Sequence, residues 1–271
     1  MTNLANITHL IIDMDGVLYR GDEPLPKLQE FFAFLRNKSI PFILATNNST
    51  RTPEAYAEKL ARMGVQVSPA EVLTSGQATA RFLAGEYPPG TRVHVFGMPS
   101  LRQAITTEGF VLADEDVALV VASMDRDVTY EKLKRATLLI RGGARFIATN
   151  LDPTNPSEEG LLPGTGSMIA ALETASEVKP EAIGKPQPTM FRLAMAQMKA
   201  KAETTAAIGD RLDTDILGAQ RTGLTTICVL SGSSNRAEAE AFGPDFIFAD
   251  IADLLATWQS ILINSVNHRL G

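Results

Sequence analysis

Aspartates, a threonine–asparagine pair and a lysine stand in this chain where apolar runs stop. Asp13-Met14-Asp15-Gly16 follows Leu10-Ile11-Ile12, and Thr46-Asn47-Asn48 follows Phe42-Ile43-Leu44-Ala45. Gly209-Asp210 through Asp215 follows Ala206-Ala207-Ile208, and Lys185 lies between Gly184 and Pro186. These residue types suit transfer of a phosphoryl group. A phosphate ester repels an attacking carboxylate, so an aspartate nucleophile needs a cation to bridge it to the phosphoryl oxygens. Magnesium is the expected cation, because it takes hard oxygen ligands and is commonly held by one or two carboxylates with phosphate and water. Asp13 and Asp210 would supply those carboxylates. The Lys185 charge, the Thr46 hydroxyl and the Asn47 amide would serve the equatorial oxygens, where charge accumulates. Asp15 would manage protons.

The elements that must position these groups follow from the same runs. Each is short and apolar with β-branched members, as buried parallel strands are. An open α/β sheet binds its ligand beyond the carboxyl ends of its strands, so residues far apart in sequence would gather at one edge. Leu25 to Lys38 reads as helical, and Thr52-Pro53-Glu54 opens another helix that Gly64 closes. Val72-Leu73 then gives a short strand. Tyr87-Pro88-Pro89-Gly90 has a hinge composition, and so does Glu177-Val178-Lys179-Pro180. Between them a second alternating series places strands at Arg92–Phe96, Ala118–Ala122 and Arg145–Ala148, with helices at Ser100–Thr107, Tyr130–Ile140 and Ser167–Thr174. The expected architecture is α/β. A doubly wound parallel-sheet, Rossmann-like core spans residues 1–88 and 182–271, and an α/β cap at 89–181 interrupts it.

The motifs resemble those of the haloacid dehalogenase-like (HAD) hydrolases, subfamily IIA, the branch of p-nitrophenylphosphatases and nucleotide phosphatases. The resemblance rests on DMDGVLYRGDEPLP at 13–26, TNNSTRTP at 46–53, FIATNLDPTNPSEEGLLPGTGS at 146–167, GKPQP at 184–188 and GDRLDTDI at 209–216. It implies that Asp13 is the nucleophile forming an aspartyl-phosphate and that Asp15 is the acid, then base, of the two half-reactions. It also implies that Met14, Thr46, Asn47, Asn48 and Lys185 bind phosphate, with Thr46 and Lys185 assisting catalysis. Magnesium would lie among Asp13, the Asp15 carbonyl and Asp210, with Asp215 orienting its bound water. The cap would choose the leaving group, with Asn150, Asp152 and the loop from Gly160 to Gly166 as candidates. TNLDPTNP also has the residues of consecutive turns, and PGTGS those of a loop capping the next helix.

Composition agrees with an enzyme of small substrates. The 271 residues are 45% hydrophobic and 21% charged, which is ordinary for a globular chain of one or two domains. A net charge of −6 with no Lys/Arg stripe argues against nucleic acid as a partner. The single Cys228 lies in the apolar run Thr226–Leu230 and reads as a core residue. His9, His94 and His268 stand apart from any serine or cysteine nucleophile motif. Neither a leader pattern nor a membrane-length apolar run is found, so the expected location is the cytoplasm, with no membrane partner.

The most direct reading is a magnesium-dependent phosphatase of small phosphomonoesters, such as p-nitrophenyl phosphate, a sugar phosphate or a nucleoside monophosphate. A phosphomutase would use the same residues, and a regulatory protein could bind a phosphometabolite there without turnover. Dehalogenation needs neither Asp15 nor Asp210, and a receiver-type phosphoacceptor is shorter and has no inserted cap. A monomer and a homodimer joined through the cap fit the sequence equally.

Overall fold

A computed structural model describes residues 3–157 and 159–270. In chain order its strands are β1 (His9–Ile12), β2 (Tyr19–Arg20), β3 (Glu23–Pro24), β4 (Phe42–Thr46), β5 (Val72–Thr74), β6 (Arg92–Phe96), β7 (Val111–Leu112) and β8 (Leu119–Ala122). They continue as β9 (Arg145–Ala148), β10 (Thr154–Ser157), β11 (Gly160–Pro163), β12 (Glu181–Ala182), β13 (Thr205–Gly209), β14 (Thr225–Val229) and β15 (Phe246–Phe248). The chain divides into two compact units. The first comprises Met1–Ala45, Tyr56–Val72 and Phe191–Gly271, and the second Thr46–Ala55 and Leu73–Met190.

The first unit is organised by strands in the order β15-β14-β13-β1-β4. These strands pair in parallel, and Ile12 stands in register with Ile208 on one side and Leu44 on the other. Leu10, Ile12, Leu44, Ile208, Ile227 and Val229 face one apolar cluster with Phe31, Phe32, Leu35, Leu60, Leu254 and Trp258. Cys228, one residue from Ile227, turns to the opposite face and packs with Ile216 and Ala239. Both faces are therefore covered, as continuous apolar strands require and as a doubly wound sheet provides. The Phe34 ring meets Trp258 edge to face at 5.6 Å, docking helix Leu28–Asn37 on the C-terminal helix Ile251–Leu270. The first of these helices begins at Leu28 rather than Leu25, because Pro26 precedes a left-handed Lys27 (φ 63°). Cys228 occupies the core strand expected of it.

The second unit has its own parallel sheet, ordered β12-β9-β8-β6-β7. Phe96, Val120, Ala122, Phe146 and Ala148 pack on Ala136 and Ile140 of helix Tyr130–Arg141 and on Ile169 and Leu172 of helix Thr165–Ser176. Helix Ser75–Ala84 starts with a reciprocal cap between Thr74 and Gln77, and Thr129 caps Tyr130–Arg141. Arg145 on β9 bonds Glu86 and Tyr87, which precede β6, and Glu181 on β12. The stretch read as turns and loop departs from expectation, since β10 and β11 form an antiparallel hairpin there. Pro156 is tolerated because a two-stranded hairpin leaves one side of each strand unpaired. The following helix starts at Thr165, two residues before Ser167, with Gly164 at its N-cap. Among the described residues, no helix is long and apolar enough to cross a membrane.

Candidate active site

Register places the first carboxylates. Since Ile12 pairs with Ile208, Asp13 leaves β1 where Gly209-Asp210 leaves β13, and the Asp13 N–H donates to the Ile208 carbonyl at 2.9 Å. One carboxylate oxygen from each of Asp13, Asp210 and Asp215 lies within 4.8 Å of the others. Asp210 and Asp215 are buried and Asp13 is half-buried. Three acids so close repel one another in a poorly solvated setting, and a cation relieves that repulsion. The donors are all hard oxygens, with no histidine or cysteine among them. This set fits magnesium or a similar hard divalent ion and does not fit a soft metal.

Local structure aims each acid. Asp215 lies in a single wide turn of π-helix, Leu212–Ile216, and its Oδ2 takes the Arg211 N–H at 3.2 Å. The carboxylate thus caps its own turn while the turn keeps it buried. Asp213, two residues earlier, is exposed and pairs with Arg211 at 3.0 Å. Asp210 is held by a loop that sequence reasoning missed, Ser231-Gly232-Ser233-Ser234 after β14. The Ser233 N–H donates to Asp210 Oδ2 at 2.7 Å, and the Ser234 hydroxyl donates to the Asp210 carbonyl at 2.7 Å. A Cβ on Gly232 would lie 2.0 Å from Asp210 Oδ2, so only glycine permits this approach. The Ser231 hydroxyl donates to the Gly16 carbonyl at 2.7 Å, tying the same loop to the Asp13–Gly16 turn. The available signal was a run of small polar residues where an apolar strand stops, the pattern that marked Asp13 and Asp210.

Asp15 is exposed and its side chain is not part of the three-carboxylate group. It bridges to Tyr19, and the Gly16 N–H donates to the Tyr19 carbonyl at 2.8 Å, so the β2–β3 hairpin sets its position. Lys59 steadies that hairpin: its ammonium lies 3.8 Å from the Tyr19 ring centroid and donates to the Gly21 carbonyl at 2.6 Å. The Met14 side chain is 1% exposed and packs in the core, so it offers the site no side-chain group. Burial holds the Cys228 thiol up at about 11, with help from the charges of Asp210 and Asp215. It is a packing residue rather than a nucleophile.

The remaining side chains singled out in the sequence belong to the second unit, where Thr46, Asn47, Asn150 and Lys185 are buried, Asp152 is half-buried and Asn48 is exposed. Thr46 Oγ1 accepts the Asn48 N–H at 3.1 Å, and Asn48 Oδ1 accepts both the N–H (2.9 Å) and the hydroxyl (2.7 Å) of Thr50. Asn47 Oδ1 accepts the Lys185 N–H at 2.8 Å, and Asn47 Nδ2 donates to the Lys185 carbonyl at 2.9 Å. The same amide nitrogen donates to the Asp152 carboxylate at 3.2 and 3.1 Å. Lys185 is only 4% exposed and precedes a cis proline, so it is no ordinary surface lysine. Asn150 is buried, donating to the Asn47 carbonyl at 2.7 Å and accepting the Asp152 N–H at 3.1 Å. Behind it runs a chain of hydroxyls: Thr149 donates to Ser123 at 2.7 Å, Ser123 bonds Ser49, and Ser100 donates to the Ser49 carbonyl at 2.5 Å.

This geometry agrees with what comparison finds. Residues 10–111 match the family model of the haloacid dehalogenase-like hydrolases, and residues 182–254 match a HAD-hydrolase-like model. An acid sugar phosphatase of Staphylococcus saprophyticus is 38% identical over 255 residues, covering 93% of this chain and 98% of its own. A 4-nitrophenylphosphatase structure from Thermotoga maritima superposes with a TM-score of 0.89 at 36% identity, over 93% of this chain and 97% of that one. The magnesium complex of a glycerol phosphate phosphatase from Mycobacterium tuberculosis gives 0.87 at 34% identity, over 94% and 78%. The chain belongs to the haloacid dehalogenase-like hydrolases, in the subfamily IIA branch. Within that family it is a phosphatase, a phosphoric monoester hydrolase.

Proposed function

We propose that the protein hydrolyses small phosphomonoesters through an aspartyl-phosphate on Asp13, with magnesium as the required ion. The observation that carries this reading is the convergence of Asp13, Asp210 and Asp215 oxygens where β1 and β13 end. Asp13 Oδ attacks phosphorus and the bond to the leaving oxygen breaks, while Asp15 gives its proton to that oxygen. Asp15, now a carboxylate, takes a proton from water as the water oxygen attacks phosphorus. The Asp13–phosphorus bond then breaks, releasing inorganic phosphate and restoring the carboxylate. Asp13, Asp210 and the Asp15 carbonyl would hold magnesium, with Asp215 orienting its water; when bound, the ion offsets charge on nucleophile and phosphate. Thr46, Lys185 and the peptide groups of Met14, Asn47 and Asn48 would serve the phosphoryl oxygens.

The relatives' names support small esters: a sugar phosphate, glycerol phosphate and a nitrophenyl phosphate. Residues 89–181 would act as the cap that selects among them, lying between the core segments 1–88 and 182–271. The test is phosphate release from a panel of phosphorylated sugars, polyols and nucleosides, with magnesium and with chelator, beside Asp13→Asn. Sustained release that needs magnesium and Asp13 is expected. Release by Asp13→Asn at the parental rate would sink the mechanism, and phosphoryl return to substrate without net release would make the protein a mutase.

A further inference from the structure

We infer that Asn47 acts by holding Lys185 and does not itself bind the phosphoryl group through its side chain. This deepens the proposed function and rests on it. A neutral carboxamide has two N–H donors and one carbonyl acceptor. In Asn47 the carbonyl takes the Lys185 N–H at 2.8 Å, and one Nδ2 hydrogen goes to the Lys185 carbonyl at 2.9 Å. The other is shared between the two Asp152 oxygens at 3.2 and 3.1 Å. The side chain therefore grips both peptide groups of one residue 138 positions away, as a neighbouring strand would, and has no donor left for a phosphate.

Asn47 is itself fixed. Its main-chain carbonyl receives the Ser75 hydroxyl at 2.5 Å and Asn150 Nδ2 at 2.7 Å. Asn47 is 8% exposed and Lys185 4%, so water does not replace these bonds cheaply. Gly184 shows how tight the grip is. A Cβ there would lie 2.6 Å from Asn47 Oδ1 and 2.5 Å from the Thr149 carbonyl. Asn150, whose sequence context suggested substrate contact, is in this arrangement a second strut behind Asn47. Asn47 is thus a positioning residue, acting on the substrate through Lys185.

A double-mutant cycle separates the two roles. Asn47→Ala, Lys185→Met and the double variant are compared with the parent in magnesium-dependent turnover of p-nitrophenyl phosphate and in affinity for inorganic phosphate by calorimetry. Displacing a catalytic group by about 1 Å costs on the order of 100-fold in rate, so Asn47→Ala is expected to lower kcat by about that factor. With Lys185→Met already present, adding Asn47→Ala should cost less than about threefold in either measurement. Gly184→Ala, whose Cβ would press on Asn47 Oδ1, should show the same pattern, a loss in the parent and less than about threefold with Lys185→Met present. Melting curves of every variant identify loss by unfolding, which would overturn the inference if it accounted for the whole effect. Multiplying losses in the double variant would overturn it as well, by showing Asn47 on the phosphate directly. A fully active Lys185→Met would instead overturn the reading of the site, and the inference with it.

Discussion

After β1 and β13 the first unit presents Asp13 and Asp210, whereas after β8 and β9 the second presents Ser123 and Thr149-Asn150. Both units carry parallel sheets of buried apolar strands. The backbone architecture is thus repeated, and the chemistry lies in the one or two residues that follow each strand. Carboxylates at the first set of strand ends repel one another and invite a cation. Hydroxyls and amides at the second satisfy one another as donors and acceptors, forming a bonded interior that holds Asn47 and Lys185. One sheet end gathers carboxylates that fit a hard divalent ion, and at the other hydroxyls and amides answer one another.

The largest break in that comparison is Asp13→Asn, expected to lower turnover at least about 1,000-fold because the nucleophile is lost. Steady-state phosphate release measures it, and loss below tenfold would remove Asp13 from that role. Gly232→Ala tests the ion directly. A Cβ 2.0 Å from Asp210 Oδ2 must push that carboxylate aside, so magnesium affinity should fall about 10- to 100-fold. Calorimetric titration reads this without turnover. Ser123→Ala, at the other sheet end, should leave that affinity unchanged, and equal weakening by both changes would erase the distinction.

Smaller effects concern stability. Trp258, 1% exposed, belongs to the apolar cluster of the first unit, and Trp258→Ala should cost about 3–5 kcal/mol in chemical denaturation. A loss under about 1 kcal/mol would mean that the C-terminal helix contributes little to that core. In the second unit, burial holds the His94 imidazole below its usual range, outweighing the Asp114 carboxylate 3.0 Å away. The unfolded chain therefore binds a proton that the folded chain refuses. Stability should fall as pH drops below about 6.5, the range in which an unfolded histidine charges. Denaturant midpoints at about pH 7.5 and about pH 5.5 should differ less in His94→Gln than in the parent, and equal slopes would exclude His94 as a source.

Much of the fold was legible because buried parallel strands are written as apolar runs with abrupt polar stops. Leu10–Ile12, Phe42–Ala45 and Arg92–Phe96 lie within or match observed strands. The hairpin at 154–163 was not legible, because its prolines, glycine and asparagine have turn propensities that pairing of two short segments overrides. The Ser231–Ser234 loop escaped notice because serines and a glycine carry no charge, and their role lies in backbone donors and close approach to Asp210.

By itself the sequence determined the family, the phosphatase class and which carboxylates end which strands, because these depend on residue type and local order. Tertiary structure alone decided that Asp210 is gripped from β14 and that Asn47 spends its amide on Lys185. Those outcomes depend on hydrogen-bond partners far apart in the chain, and short-range propensity carries no information about which distant donor will arrive.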